Sequence, residues 1–229
     1  MKRPFVLFIW PRRNQPLART TGSFGEKTEA ALREAAVELI ARHGYEAVSM
    51  RRLAAAIGVQ AAALYNYFPT KEDLLFTLMR EHMEGLIAAW NAADPGGPPR
   101  ERLAAFVENH IVFHVERRHA THVSNMELRS LAPERLTAML RLRSAYEKVL
   151  RQILREGAAA GDFAVEDATL TAMAIIQMIT GVIVWFRPDE RLSVEEVAAT
   201  YHAMTMRLVG AQPMRRRGAA NQPRERLDV

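Results

Sequence analysis

Residues 49–71, SMRRLAAAIGVQAAALYNYFPTK, decide the fold. Ser49 is placed to accept from the free N–H groups of an opening helical turn. Leu53, Ala54 and Ile57 then share one face at helical spacing. Gly58 stands where that helix must end, and glycine tolerates the left-handed conformation such a turn needs. Residues 59–67 read as a second short helix with Leu64 and Phe68 turned inward. Pro69 closes it by driving the residue before it out of the helical region. Thr70 caps a third helix that opens Lys71-Glu72-Asp73, with its acids in the turn where a helix N-terminus favours them. Ala54 with Gly58 four residues on suits two helices crossing closely. Together these are the parts of a helix-turn-helix, whose second helix can enter the DNA major groove.

Working outward, the rest is helical too. Residues 25–43 carry an apolar stripe, Ala31, Leu32, Ala35, Ala36, Leu39 and Ile40, and Gly44 ends that helix. A long helix runs from Lys71 to about Trp90. Asp94-Pro95-Gly96-Gly97-Pro98-Pro99 is the clearest break. Helices follow over 100–119, to Leu131 after a kink near His119-Ala120, and from Pro133 to about Ala159. Residues 167–186 are apolar all round and read as one helix. Ser193 and Glu196 form a capping box for the last helix, 193–209. No convincing alternating strand run occurs. The expected fold is all-α: an N-terminal three-helix helix-turn-helix domain and a larger helical ligand-binding and dimerisation domain, about nine helices together. The boundaries are a basic flexible arm over 1–23, the DNA-binding domain over 24–70, the larger domain over 71–212 and a basic disordered tail over 213–229.

Charge supports a polyanion partner. The formal net charge is +5, and residues 1–23 hold five Lys/Arg and no acid, while 213–229 hold five basic residues and two acids. The excess thus sits at the ends, around a near-neutral middle. There is no cysteine, which excludes disulfides, thiolate nucleophiles and thiolate metal sites and fits a reducing, cytoplasmic setting. Phe5–Trp10 follows Lys2-Arg3 like the start of a signal peptide, but six apolar residues fall short of the roughly 7–15 of a signal core. That stretch reads as part of an arm or as the product of an upstream start codon. Residues 168–186 carry no charge over a length close to the roughly 20 residues that span a bilayer. A helix apolar all round is also what the centre of a soluble helical domain requires. No membrane partner is expected; a membrane-associated helical protein is the alternative that this stretch supports.

The parts match a family pattern in order and spacing. Gly44-Tyr45, Ser49, Leu53-Ala54, Gly58-Val59 and Leu64-Tyr65-Asn66-Tyr67-Phe68-Pro69-Thr70-Lys71-Glu72-Asp73-Leu74-Leu75 resemble the TetR family of bacterial one-component repressors. Tyr67 stands where many members have His, and Ala61-Ala62-Ala63 where many carry polar base-reading groups. Residues 157–163 and 181–188 look like a subgroup that senses acyl-CoA thioesters. The resemblance implies a homodimer on a palindromic double-stranded DNA operator, released by a small hydrophobic effector, with an acyl-CoA or lipophilic acid favoured. A drug- or xenobiotic-responsive repressor of an efflux gene is the alternative within the family. It also implies a four-helix dimer interface from residues 167–186 and 193–209 of each chain.

Residue by residue, Arg51, Gln60, Ala61, Ala62, Tyr65, Asn66, Tyr67 and Lys71 are the DNA-binding candidates. Gln60 can read a base edge and the alanines can meet thymine methyls. Tyr65, Asn66 and Tyr67 can meet phosphates, and Lys71 matches the family's phosphate-binding lysine at a helix N-terminus. Effector candidates are Trp90, Phe113, His114, Met126, Arg129, Tyr146, Met173, Gln177 and Trp185, which place aromatics, Met and a few polar groups among the helices of residues 71–186. His110 and His114 stand at i and i+4, as two metal ligands can, but no HExxH pattern supports a site. No metal or cofactor is expected. No GxSxG, P-loop or Rossmann glycine pattern suggests an enzyme.

Overall fold

The computed structural model describes residues 23–188 and 190–211, and every element among them is helical. The arm before residue 23 and the tail from 213 lie outside the described residues. The helix-turn-helix head is built from Ser23–His43 (α1), Met50–Ala56 (α2) and Ala61–Leu64 (α3). Lys71–Ala93 (α4) leads into the body, made of Pro99–Glu116 (α5), Arg118–Met126 (α6), a 3-10 turn Leu128–Ser130, Pro133–Ala159 (α7), Ala168–Thr180 (α8), Val182–Trp185 (α9) and Val194–Leu208 (α10). The expected nine-helix layout holds when α8 and α9 are taken as two pieces of one broken helix.

The caps are where the local chemistry puts them. Ser49 Oγ accepts from Arg52 N at 3.2 Å, and Gly58 adopts φ +71°. Thr70 and Asp73 form a reciprocal box, with Asp73 N donating to Thr70 Oγ1 at 3.0 Å and Thr70 N to Asp73 Oδ2 at 2.8 Å. Ser193 and Glu196 do the same for α10. Each such cap contributes about 1 kcal/mol.

Three features differ from the expectation. A Cβ at Gly58 would meet nothing within 4 Å, so its backbone angle, not a close helix crossing, is what calls for glycine there. The second helix of the pair shrinks to Ala61–Leu64, because Asn66 N and Tyr67 N turn back to Ala63 O and Leu64 O in a tightened last turn ahead of Pro69. Residues 167–186 do not form one helix. The ladder tightens at Gly181, where Val184 N bonds Gly181 O, and α9 resumes from Val182.

The body is organised around α5, which packs on α4, α7, α8 and α10. Its Leu103, Phe106, Val107 and Ile111 are fully buried. Each such side chain contributes about 1.5–3 kcal/mol of burial. Gly157 of α7 is needed for closeness, since a Cβ there would lie 2.0 Å from the Phe163 ring. The side of α8, α9 and α10 turned away from α5 leaves Leu170, Met173, Val184, Trp185, Met204 and Leu208 exposed.

Candidate DNA-reading surface and effector cavity

The reading surface is short and mostly bare. Gln60 is the extended cap residue of α3 and is exposed, as are Ala62 and Asn66. Ala61 is half-buried against the head core. Tyr65 is 51% exposed, so its ring is not core packing. Tyr67 is half-buried and its hydroxyl runs back beside Gly25 of α1. Arg51 and Arg52 are exposed on α2. The helix behind them is held by Leu53, Leu64 and Phe68, all buried.

Lys71 is placed differently from its neighbours. Its Nζ donates to Tyr45 O at 3.1 Å and lies 3.9 Å from the Tyr45 ring centroid. Burial, and then the Glu72 carboxylate, raises the Tyr45 phenol to about 12, so the ring stays neutral under the ammonium. Lys71 therefore belongs to a polar seam between head and body. Tyr45 N donates to Glu127 Oε1 at 3.1 Å, and Ser130 Oγ donates to Glu127 Oε2 at 3.1 Å. Ala132 N donates to Glu72 Oε1 at 2.8 Å. Arg135 pairs with Asp73 and lies 3.7 Å from Glu72. The Thr70 hydroxyl, with Arg135 assisting, holds the Asp73 carboxyl below its ordinary value.

Inside the body, three histidines line up across α4 and α5. The His110 and His114 rings stack 3.9 Å apart, and His82 meets His114 edge-on at 5.6 Å. His110 pairs with Tyr146 Oη through Nδ1 at 3.2 Å and with Thr180 Oγ1 through Nε2 at 2.8 Å. His114 Nδ1 sits 2.7 Å from His110 O. A neutral imidazole can serve one donor and one acceptor role in this way. Burial lowers His82 to about 3 and His114 to about 4, and it lowers His110 well below the ordinary imidazole value. Both nitrogens of His110 are thus committed to hydroxyls.

A cavity of about 290 Å³ opens beside this stack, between α4, α5, α7 and α8. It is bounded by His110, His114, Tyr146, Gln177, Thr180 and Arg143, with Met83, Leu86, Leu140 and Ile176 as apolar walls. A second cavity, of about 520 Å³, lies between α1 of the head and α4, α5 and α6, beyond His82 and Phe113.

The structure divides the nine effector candidates. His114, Tyr146 and Gln177 come together around the 290 Å³ cavity, and Phe113 walls the larger one. Trp90 is 2% exposed and packs edge-on against Phe106 at 5.1 Å, as core. Met126 borders a separate cavity of about 410 Å³ by His119 and His122. Arg129 is exposed in the 3-10 turn. Met173 and Trp185 lie on the exposed face of α8 and α9, with Trp185 stacked on Tyr201 at 6.3 Å. Sequence reasoning missed Arg143 and Asn125. Arg143 fell on a helix already rich in arginine, and no local pattern marks which of them turns inward.

A helix-turn-helix head with an exposed reading segment, joined by one long helix to a cavity-bearing helical body, defines a one-component DNA-binding regulator. Residues 32–78 match the family model described as bacterial regulatory proteins, tetR family, and residues 96–209 match that of the tetracyclin repressor-like C-terminal domain. The chain belongs to the TetR family. A bacterial regulatory protein in the tetR family from Rhodococcus RHA1 is similar in structure, with a TM-score of 0.78 and 34% identity over 82% of this chain and 99% of its own. AibR, in complex with isovaleryl coenzyme A and operator DNA, has a TM-score of 0.72 at 27% identity, over 81% of this chain and 100% of its own. The transcriptional repressor KstR2 of Rhodococcus jostii is 26% identical over 194 residues, 83% of this chain and 94% of its own.

Proposed function

We propose that the chain is a homodimeric, cytoplasmic transcriptional repressor without catalytic activity. A small hydrophobic acyl effector, as a coenzyme A thioester or a lipophilic acid, releases it from a palindromic operator. The observation that carries this reading is the polar seam. It ties Tyr45 of the head, the start of α4 and the α6–α7 connection together, so a shift of the body helices reaches the reading surface. A ligand can exploit that linkage only by binding two arrangements of the body with different affinity. The likeness to AibR, which is seen with an acyl-CoA and operator DNA, supports the acyl class.

Dimerisation is supported by the exposed face of α8, α9 and α10. Leu170 is 64% exposed and Val184 71%, and a lone soluble chain rarely leaves such side chains grouped in water. Residues 168–185 also have the length and apolarity to cross a membrane, but the break at Gly181 and the one-sided exposure suit a face pressed against a second copy better. Two reading surfaces about 34–36 Å apart, or a multiple of that, would then meet successive major-groove faces. On this reading Gln60 touches base edges, Arg51, Tyr65, Asn66 and Tyr67 touch the backbone, and Lys71 adds a phosphate contact with the protons that Tyr45 leaves over.

The test begins with selection of a bound sequence from random DNA, expected to return an inverted repeat. Isovaleryl-CoA and octanoyl-CoA should then weaken that complex, whereas cationic drugs should not. Leu170→Glu with Met204→Glu should give a folded monomer with at least tenfold weaker operator binding, since half of the contacts are lost together. An operator complex indifferent to every acyl compound would sink the effector class. A monomer that binds as tightly as the parent would sink the dimer.

A further inference from the structure

Arg143 of α7 is the unusual charge of the body. Its Nη2 alone donates to Ser124 O at 2.7 Å and to Asn125 Oδ1 at 2.9 Å, and its Nε is buried without a partner. No ion pair to Arg143 occurs among the described residues. Glu147, the carboxylate that shares the cavity wall, lies 3.5 Å from Arg151. Burial is the one cause acting on the guanidinium, and it pulls the pKa down. A cation drawn out of water with only neutral oxygens around it is an incomplete site, because a charge-assisted bond to an anion is the stronger arrangement. Arg143 lines the 290 Å³ cavity, which falls just below the about 300–1,000 Å³ of ordinary ligand pockets and so suits a compact group.

We infer that Arg143 is the anchoring residue for the acyl oxygen of a compact effector, and that this oxygen competes with the end of α6 for the guanidinium. The inference rests on the acyl reading above and adds a residue and a route to it. Ser124 O and Asn125 belong to the last turn of α6, and Glu127, the next residue after that helix, holds Tyr45 N in the head. A carbonyl or carboxylate that draws the guanidinium toward Met83, Leu86 and Ile176 frees the α6 terminus. Glu127 then loses its fixed position under Tyr45, and the head is released from its setting on the body. Thioester and free acid share this oxygen, and 3-methylbutanol, with the same chain and no carbonyl, does not.

The experiment titrates the full chain with isovaleryl-CoA, isovalerate, octanoyl-CoA and 3-methylbutanol by calorimetry, and repeats the titrations on variants. The acyl compounds should bind and the alcohol should not, and whichever of thioester or acid binds more tightly identifies the source of the oxygen. Arg143→Met should weaken binding by about tenfold or more, with Arg143→Lys recovering part of it. Because Arg143→Met also removes a tie to α6, Asn125→Asp is the second variant. It keeps the shape and gives the guanidinium a carboxylate of its own, so acyl affinity should again fall about tenfold or more, whereas Asn125→Ala should raise it. Glu127→Ala, which removes the tie to Tyr45 that ligand binding must loosen, should bind the acyl ligand at least as tightly as the parent, yet show a smaller ligand-induced loss of operator affinity. Equal acyl affinity in the parent and in Arg143→Met and Asn125→Asp overturns the anchor and leaves the acyl-responsive repressor standing. Undiminished release in Glu127→Ala overturns the route through α6. Absence of any acyl binding to the parent overturns the effector class and the anchor together.

Discussion

Two polar networks hold this molecule, and they are built on opposite principles. The seam between head and body is made of full charges that keep some contact with water: Lys71, Glu72, Asp73, Glu127 and Arg135. The network inside the body is made of neutral groups largely withdrawn from water: His82, His110, His114 and Tyr146, all buried, with the half-buried Thr180 at its edge. Charged pairs near solvent are individually weak, about 0–1 kcal/mol, and exchange partners at little cost. Buried neutral hydrogen bonds gain little when made, but leaving one partner unmet costs about 1–3 kcal/mol. The seam is thus suited to motion and the histidine stack to rigidity. A switch needs both: a stiff body to register the ligand, and a joint that yields.

The largest effect expected of this contrast is acid sensitivity centred on the stack, with His202 of α10, also lowered by burial, adding in the same direction. The folded pKa values of His82, about 3, and His114, about 4, lie below the unfolded value of about 6.5. Protons therefore favour the unfolded chain, and the stability these groups contribute is complete above about pH 6.5. It is lost progressively as pH falls from there toward 4 and then 3. At pH 5 His82 and His114 each cost about 2 kcal/mol, and His110 acts in the same direction. The lowered carboxyls of Asp73 and Asp94 act only near and below their unfolded values of about 4, outside the interval between pH 7 and pH 5. Urea denaturation at pH 7 and pH 5 measures the drop, and His82→Phe should reduce it by about 2 kcal/mol. A stability unchanged between those two pH values would mean that the stack takes up water and is not a dry core.

Next in size is the loss of a single member. His110→Leu keeps the bulk but strands the buried hydroxyl of Tyr146 and removes a bond to the half-buried Thr180, at a cost of about 2 kcal/mol in unfolding free energy at pH 7. Because Thr180 lies one residue before the break at Gly181, the same variant should loosen α9 and the exposed face next to it. Amide exchange over residues 180–186 reads that out. A loss below about 1 kcal/mol would put these hydroxyls in contact with solvent and bring the two networks closer in kind.

How much of this was legible depends on the range of the interaction. Ser49, Thr70 and Ser193 announce their helices because a cap and its partner are three residues apart, and all three form the expected bonds. Gly44 and Gly58 announce turns because their positive φ is a local demand. The break at Gly181 was hidden, since an unbroken apolar run looks the same whether it is one helix or two. The cavity was half legible. Aromatic and polar residues at helical spacing brought in His114, Tyr146 and Gln177, but the same spacing brought in Trp90, which is core, and Met173 and Trp185, which lie on the outer face. Arg143 could not be picked out, because what distinguishes it is the absence of an acid from α4, α5 or α8 beside it. The seam was invisible for a similar reason: Tyr45 meets Glu127 across 82 residues of chain.

The smallest expected effect is at that seam, and it is the sharpest division between the two networks. Arg135→Gln removes the cation that Asp73 and Glu72 share and leaves the Phe76 ring beside it packed. Since these carboxylates remain hydrated, the unfolding midpoint should move by less than about 1 kcal/mol. The dynamics should move more. Glu72 without Arg135 holds Ala132 N less firmly, so amide exchange should quicken at Ala132 and, through Glu127 and Lys71, around Tyr45, while His110 and its neighbours stay protected. A change spread evenly over both networks would mean that head and body unfold as one unit. A destabilisation equal to that of His110→Leu would mean that the seam is part of the core, and a joint of that strength would not yield to a ligand of ordinary affinity.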